Sequence, residues 1–180
     1  HGQLVEVDED TKADLFFATH RFLAEAGYFA YEVSNFAREP ANRSRHNQKY
    51  WDHSPYLGFG PSAHSFDGER VRWWNKRRLD DWADGLDEGL LPIADTELLT
   101  CEQLVLEEVA LKLRTTSGLD FEGIERRFGV DLASLNIEVI KDLRESGLVE
   151  ADAAAKRLVP TLEGLAVADT LAASLEITSG

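Results

Sequence analysis

Methionine is absent from this chain, and cysteine occurs once, at Cys101. One thiol can neither close an internal disulfide nor supply the thiolates of a structural zinc or an iron–sulfur cluster, so these residues alone build neither. A sequence that opens on His1 and contains no methionine is expected to be an internal piece of a longer polypeptide. Long apolar runs are missing as well. No stretch approaches the length that spans a bilayer, and the start has none of the charged, apolar and small-residue regions of a secretory signal. The cytoplasm is the expected compartment. Cations are scarce: 19 Lys and Arg stand against 33 Asp and Glu, a net charge of −14. That balance argues against general nucleic-acid binding, in which affinity for phosphate comes from Lys and Arg.

The chain is otherwise of ordinary globular composition, 43% apolar and 29% charged over 180 residues. That is enough for one sizeable core, or for a small domain joined to part of another. Its charge is uneven. Between Phe36 and Arg78 there are nine Lys and Arg against four Asp and Glu, together with eight of the 17 aromatic residues and three of the five histidines. Cations, stacking surfaces and ligating nitrogens are therefore concentrated in one basic island, and an acidic partner or substrate is expected there.

Periodicity organises the rest. Asp10 to Gly27 has Leu15, Phe16, Ala18, Phe22, Leu23 and Ala26 at helical spacing, with Gly27 as a stop. Tyr28 to Val33 reads as a strand and Ser34-Asn35 as a turn. Phe36 to Gly60 is a long polar and aromatic segment, of the kind that is usually functional when ordered. Ser62 to Phe66 and Val71 to Asn75 read as a hairpin about Asp67-Gly68, and Leu79 to Gly89 as a helix. Beyond Pro92 a mainly helical module is expected. Thr100-Cys101-Glu102-Gln103 fits a capping box and predicts a helix to Arg114. Phe121 to Phe128 and Leu132 to Ser146 are further helices, ended by Gly129 and Gly147. Leu148 to Glu150 and Arg157 to Val159 pair as a wing across Ala151 to Lys156, and Leu162 to Ile177 is the last helix. Three helices and a wing resemble a winged helix-turn-helix. The third helix, however, carries Glu138, Asp142 and Glu145 against Lys141 and Arg144, so structural use is favoured over reading DNA.

The segment His46-Asn47-Gln48-Lys49-Tyr50-Trp51 collects a possible axial ligand, aromatic surfaces and a cation, with Gly58-Phe59-Gly60-Pro61 close behind it. Given a helical turn, His46 and Tyr50 share a face. Two uses of Trp51 stand side by side: a surface against a flat ligand, or a cover over the end of a barrel. Arg43, Arg45 and Lys49 can meet carboxylates or simply remain solvated. Gly58-x-Gly60 precedes a strand, the reverse of the dinucleotide fingerprint. Its glycines therefore point to close backbone approach, either to a cofactor or to another strand. His64 falls on a strand, where core packing is expected. Cys101 is assigned no chemistry.

Tyr31-Glu32-Val33-Ser34-Asn35-Phe36-Ala37, Arg45 to Trp51, and Tyr56-Leu57-Gly58-Phe59-Gly60-Pro61-Ser62-Ala63-His64-Ser65-Phe66 resemble successive motifs of the HemW group. These are radical S-adenosylmethionine proteins related to oxygen-independent coproporphyrinogen oxidase, and the likeness runs over nearly the whole chain as their C-terminal half. It implies an α+β, α-rich fold: the end of a partial (βα) barrel over residues 1–68, a hairpin strand and connecting helix over 69–94, and a small helical, winged-helix-like domain over 95–180. It implies haem binding by His46, Asn47, Tyr50 and Trp51, with His46 as the iron ligand, and places Gln48, Gly60 and Ala63 beside S-adenosylmethionine. The CxxxCxxC motif for the 4Fe-4S cluster is not in these 180 residues, so this segment alone is expected to be catalytically inert. The implied partners are haem or a porphyrinogen and acceptor haemoproteins, with a homodimer possible and no nucleic acid or membrane segment. A haem chaperone is favoured by the His46 motif. The alternative is the oxidase, which decarboxylates coproporphyrinogen III.

Overall fold

A computed structural model describes residues 7–152 and 156–178. Its helices and antiparallel sheets make an α+β chain that divides into two compact units, residues 1–44 with 109–180, and residues 45–108. Among the described residues no helix is long and apolar enough to cross a membrane.

In the first unit, α1 (Glu9–Glu25) starts where Asp8 accepts a hydrogen bond from Thr11 N at 2.8 Å, and it stops before Gly27 at φ +80°. The expected apolar stripe forms but is only partly covered. Phe16 and Leu23 are half-buried, whereas Leu15 and Phe22 are 57% and 70% exposed. The strand expected over Tyr28–Val33 shortens to β1 (Phe29–Ala30), paired antiparallel with β2 (Phe36–Ala37). Buried Glu32 explains the early turn. Its carboxylate accepts from Ser34 N (3.0 Å), Ser34 Oγ (3.2 Å) and Asn35 Nδ2 (2.5 Å), a local capture that competes with the strand ladder.

The second unit begins with α2 (Arg45–Trp51), then the antiparallel sheet of β3 (His64–Phe66), β4 (Val71–Asn75) and β5 (Ile93–Leu98), with α3 (Leu79–Asp87) between β4 and β5. Asp67 shapes the β3–β4 turn by accepting from the backbone of Glu69, Arg70 and Val71 at 2.8–3.0 Å. β5 adds a strand that the reading of a mainly helical region after Pro92 does not include. Its Ala, Asp and Glu disfavour strands, and its register against β4 supplies what local propensity does not. Helix α4 (Cys101–Lys112) opens on the expected capping box: Thr100 N donates to Gln103 Oε1 at 2.8 Å and Gln103 N to Thr100 Oγ1 at 3.1 Å.

The first unit resumes with β6 (Leu119–Asp120), α5 (Phe121–Phe128), α6 (Leu132–Leu135), α7 (Ile137–Glu145), β7 (Val149–Asp152), β8 (Arg157–Pro160), α8 (Leu162–Ala166) and α9 (Ala168–Ser174). Asp120, Asp131 and Thr161 cap α5, α6 and α8, and Gly129 ends α5 at φ +73°. The two wing strands pair as expected, while β6 adds an unexpected third in the order β6–β8–β7. Residues 153–155 of the expected wing turn lie outside the described residues. Leu113, Leu119, Ile124, Leu132, Leu158 and Leu171 are fully buried in this unit. The helices expected over Leu132–Ser146 and Leu162–Ile177 are each broken, at Asn136 and at Val167. At Asn136 the cause is visible. Its buried side chain donates to Leu132 O (2.9 Å) and Glu176 O (2.8 Å) and accepts from Glu176 N (2.7 Å).

Candidate functional site

The segment Arg45–Trp51 lies in α2, so the conditional expectation for His46 and Tyr50 is met. The two rings pack edge to face at 5.1 Å, with His46 exposed. Tyr50 continues the row to Tyr56 at 4.9 Å, and Tyr56 to buried Phe66 at 6.4 Å, where a two-way backbone bridge joins residues 56 and 66. Burial raises the Tyr56 phenol above its ordinary pKa. Asn47, Gln48 and Trp51 are half-buried, and Trp51 Nε1 is shielded without a hydrogen-bond acceptor among the described residues.

The end of α2 is a Schellman turn: Ser54 N donates to Lys49 O at 2.9 Å and His53 N to Tyr50 O at 3.3 Å. His53 takes the left-handed position of that turn at φ +46°, where glycine is usual, and its ring is buried. Its Nε2 lies 3.6 Å from Glu107 Oε2 and its Nδ1 3.7 Å from Glu108 Oε2, both on α4. Arg72 of β4 grips the same Glu107 at 2.6 Å. The His53 imidazole and the Arg72 guanidinium together hold the Glu107 carboxyl down at about 2. Sequence reasoning missed His53, Glu107 and Arg72. The only local signal was a third histidine in the basic island, because the carboxylates that give it meaning come from α4. Among the described residues no group of three His, Cys, Asp or Glu side chains is arranged to hold a metal ion.

Gly60 and Ala63 lie on the loop after Tyr56, where Ala63 N donates to Gly60 O at 3.3 Å. The close approach expected at Gly58 is to a strand. A Cβ there would collide with His64 O of β3. His64 departs from expectation: it is exposed and stacks on Trp74 at 5.6 Å, because its register partner across β3–β4 is that tryptophan rather than the core. Of the candidate cations, Arg45 and Lys49 are exposed on α2, whereas Arg43 belongs to the other unit, over the rings of Phe29 and Tyr31.

Residues 99–167 match the HemN C-terminal domain. The chain is 39% identical over 118 residues to the heme chaperone HemW of Mycobacterium tuberculosis, covering 66% of this chain and 30% of the relative. It is 32% identical over 148 residues to heme chaperone HemW of Bacillus subtilis, covering 82% and 38%. The chain belongs to the HemN-like family. A mitochondrial radical S-adenosyl methionine domain-containing protein 1 of Bos taurus extends the HemN-like similarity to 97% of this chain at 34% identity, over 41% of that relative. In three dimensions the chain superposes on coproporphyrinogen III oxidase (HemN) of Escherichia coli, a radical SAM enzyme, with a TM-score of 0.69 and 21% identity. That superposition covers 93% of this chain and 41% of the enzyme, and at this identity it shows a shared fold over that part alone. The chain thus spans roughly a third to two fifths of these HemN-like relatives. The matched HemN C-terminal domain begins just ahead of α4, so Glu107 and Glu108 lie inside it and the His46 helix lies before it.

Proposed function

We propose that the protein to which this chain belongs is a haem-binding chaperone of the HemW type, holding haem through α2 and passing it to acceptor haemoproteins. The observation that carries this reading is the exposed His46 imidazole, set edge-on against Tyr50 in a helix whose end is anchored by His53. An iron needs an axial base and a macrocycle needs flat apolar neighbours. His46 and Tyr50 answer these needs, and half-buried Trp51 stands beside Tyr50 in the same helix. Asn47 completes the His-Asn-x-x-Tyr-Trp motif that the resemblance to the HemW group implies.

In this reading S-adenosylmethionine would lie beside Gln48, Gly60 and Ala63, where the local offering is backbone and amide rather than charge. The residues present do not fit a 4Fe-4S cluster, since Cys101 is the only cysteine. In the same reading residues 1–68 are the end of a partial barrel, 69–94 a connection and 95–180 a winged-helix-like module. The order α5, α6 and α7, β7, β8 supports the last part. Likeness to the oxidase supports a shared fold and leaves decarboxylation as the lesser alternative.

The test is His46→Ala in the full-length protein, read by haem absorption. Loss or a marked shift of the haem band is expected. An unchanged spectrum and affinity would falsify axial ligation by His46.

A further inference from the structure

The loop from Leu57 to Pro61 is held more firmly than a solvent loop requires. Gly58 N donates to Ser65 Oγ at 3.0 Å, and the buried Asn75 amide donates to Gly60 O at 2.9 Å and Gly58 O at 3.4 Å. Backbone bonds from Ser62 N to Lys76 O and from Asn75 N to Ala63 O, both 3.0 Å, fasten its far side to the end of β4. Gly58 passes so close to His64 that any Cβ would collide, and Gly60 adopts φ +100°. The side chains presented by this clamped backbone are Leu57 and Phe59, 66% and 88% exposed. Large apolar groups fixed in water on a preorganised support mark a contact surface.

Its surroundings indicate what fits. Tyr56, the residue before Leu57, joins the loop through Tyr50 to His46 by ring contacts of 4.9 and 5.1 Å. Tyr56 to Phe59 spans at most about 11 Å of chain, the scale of a porphyrin. Exposed Arg77 follows the Asn75 clamp by two residues in the chain and offers a cation suited to a carboxylate. Resting on the haem-binding reading above, we infer that Leu57 and Phe59 form a second, apolar wall that contacts the face of the porphyrin macrocycle, with Arg77 pairing a propionate. Its ligand is defined by the flat ring and its carboxylates, independently of iron.

Full-length protein carrying Phe59→Ala, Leu57→Ser, Phe59→Trp or His46→Ala is titrated with haemin and, separately, with iron-free protoporphyrin IX. Phe59→Ala and Leu57→Ser are expected to weaken both ligands roughly ten-fold or more, and Phe59→Trp to retain them. His46→Ala is expected to weaken haemin and leave the iron-free ring nearly unchanged. If Phe59→Ala leaves both affinities unchanged, the apolar wall is wrong. The same conclusion follows if that variant lowers the melting temperature without altering either affinity, since Phe59 then packs against the rest of the protein. If only His46→Ala lacks its effect, iron ligation fails while the wall stands.

Discussion

His53 occupies a backbone position that glycine normally fills, and the strain of a left-handed histidine costs about 1 kcal/mol. Its side chain supplies the reason, because it brings a ring between Glu107 and Glu108 at the point where α2 ends. Glu107 links this ring to Arg72 and is held at about 2 against an ordinary 4.5. Between those values the unfolded chain binds more protons than the folded one at this site, so stability rises with pH through the window. The contribution is fully present above about pH 4.5 and is lost as pH falls through 2. It amounts to at most about 3 kcal/mol before solvent screening of a partly exposed carboxylate reduces it. Urea unfolding of Glu107→Gln from pH 2 to 6 is expected to show a shallower pH dependence than the parent by about one proton. At neutral pH the variant is expected to be less stable, since His53 and Arg72 lose their common partner. Equal slopes would mean that Glu107 titrates normally.

At the scale of elements, Asn136 replaces a helical turn with a side-chain clamp on Glu176, where both the amide donor and the carbonyl acceptor are used. Asn136→Ala leaves three buried or part-buried backbone groups without these partners, so a loss of about 2–4 kcal/mol is expected in urea unfolding. A change below about 0.5 kcal/mol would show that water replaces the clamp. This residue also marks the limit of what could be read from sequence. Helical spacing, the Thr100–Gln103 box and the stops at Gly27, Gly89 and Gly129 are local signals, and the corresponding elements form. The break at Asn136 depends on Glu176, β5 depends on its register with β4, and β6 on β8; none of these partners is visible in a short window. The site divides in the same way. His46 and Tyr50 are one helical turn apart and legible as a pair. His53 becomes intelligible only when α4 brings Glu107 and Glu108 beside it, and the Gly58–Gly60 loop only when Asn75 closes on its carbonyls.

For the whole molecule, the charge of −14 conceals a basic island, but the fold uses part of that island internally. Arg72 pairs with Glu107, Arg70 Nε donates to Leu99 O at 2.8 Å, and Arg78 lies within 4.0 Å of Asp80 and Asp81. What remains outward, including Arg45, Lys49 and Arg77, is suited to a small anionic ligand rather than to a run of phosphates. The element order α5, α6, α7, β7, β8 of the C-terminal region does not alter this balance. α7 carries Glu138, Asp142 and Glu145 against Lys141 and Arg144, and Arg157 of β8 faces Asp120 at 3.5 Å. Duplex binding requires the release of counterions from several phosphates at once, and among the described residues α7 and Arg157 assemble no such cationic face. Fluorescence anisotropy with a labelled DNA duplex at low salt is therefore expected to show no salt-dependent binding by this protein. A linear fall of log affinity with log salt, corresponding to several neutralised phosphates, would overturn the structural use favoured for α5–α7 and β7–β8 and make them a nucleic-acid module despite their charge.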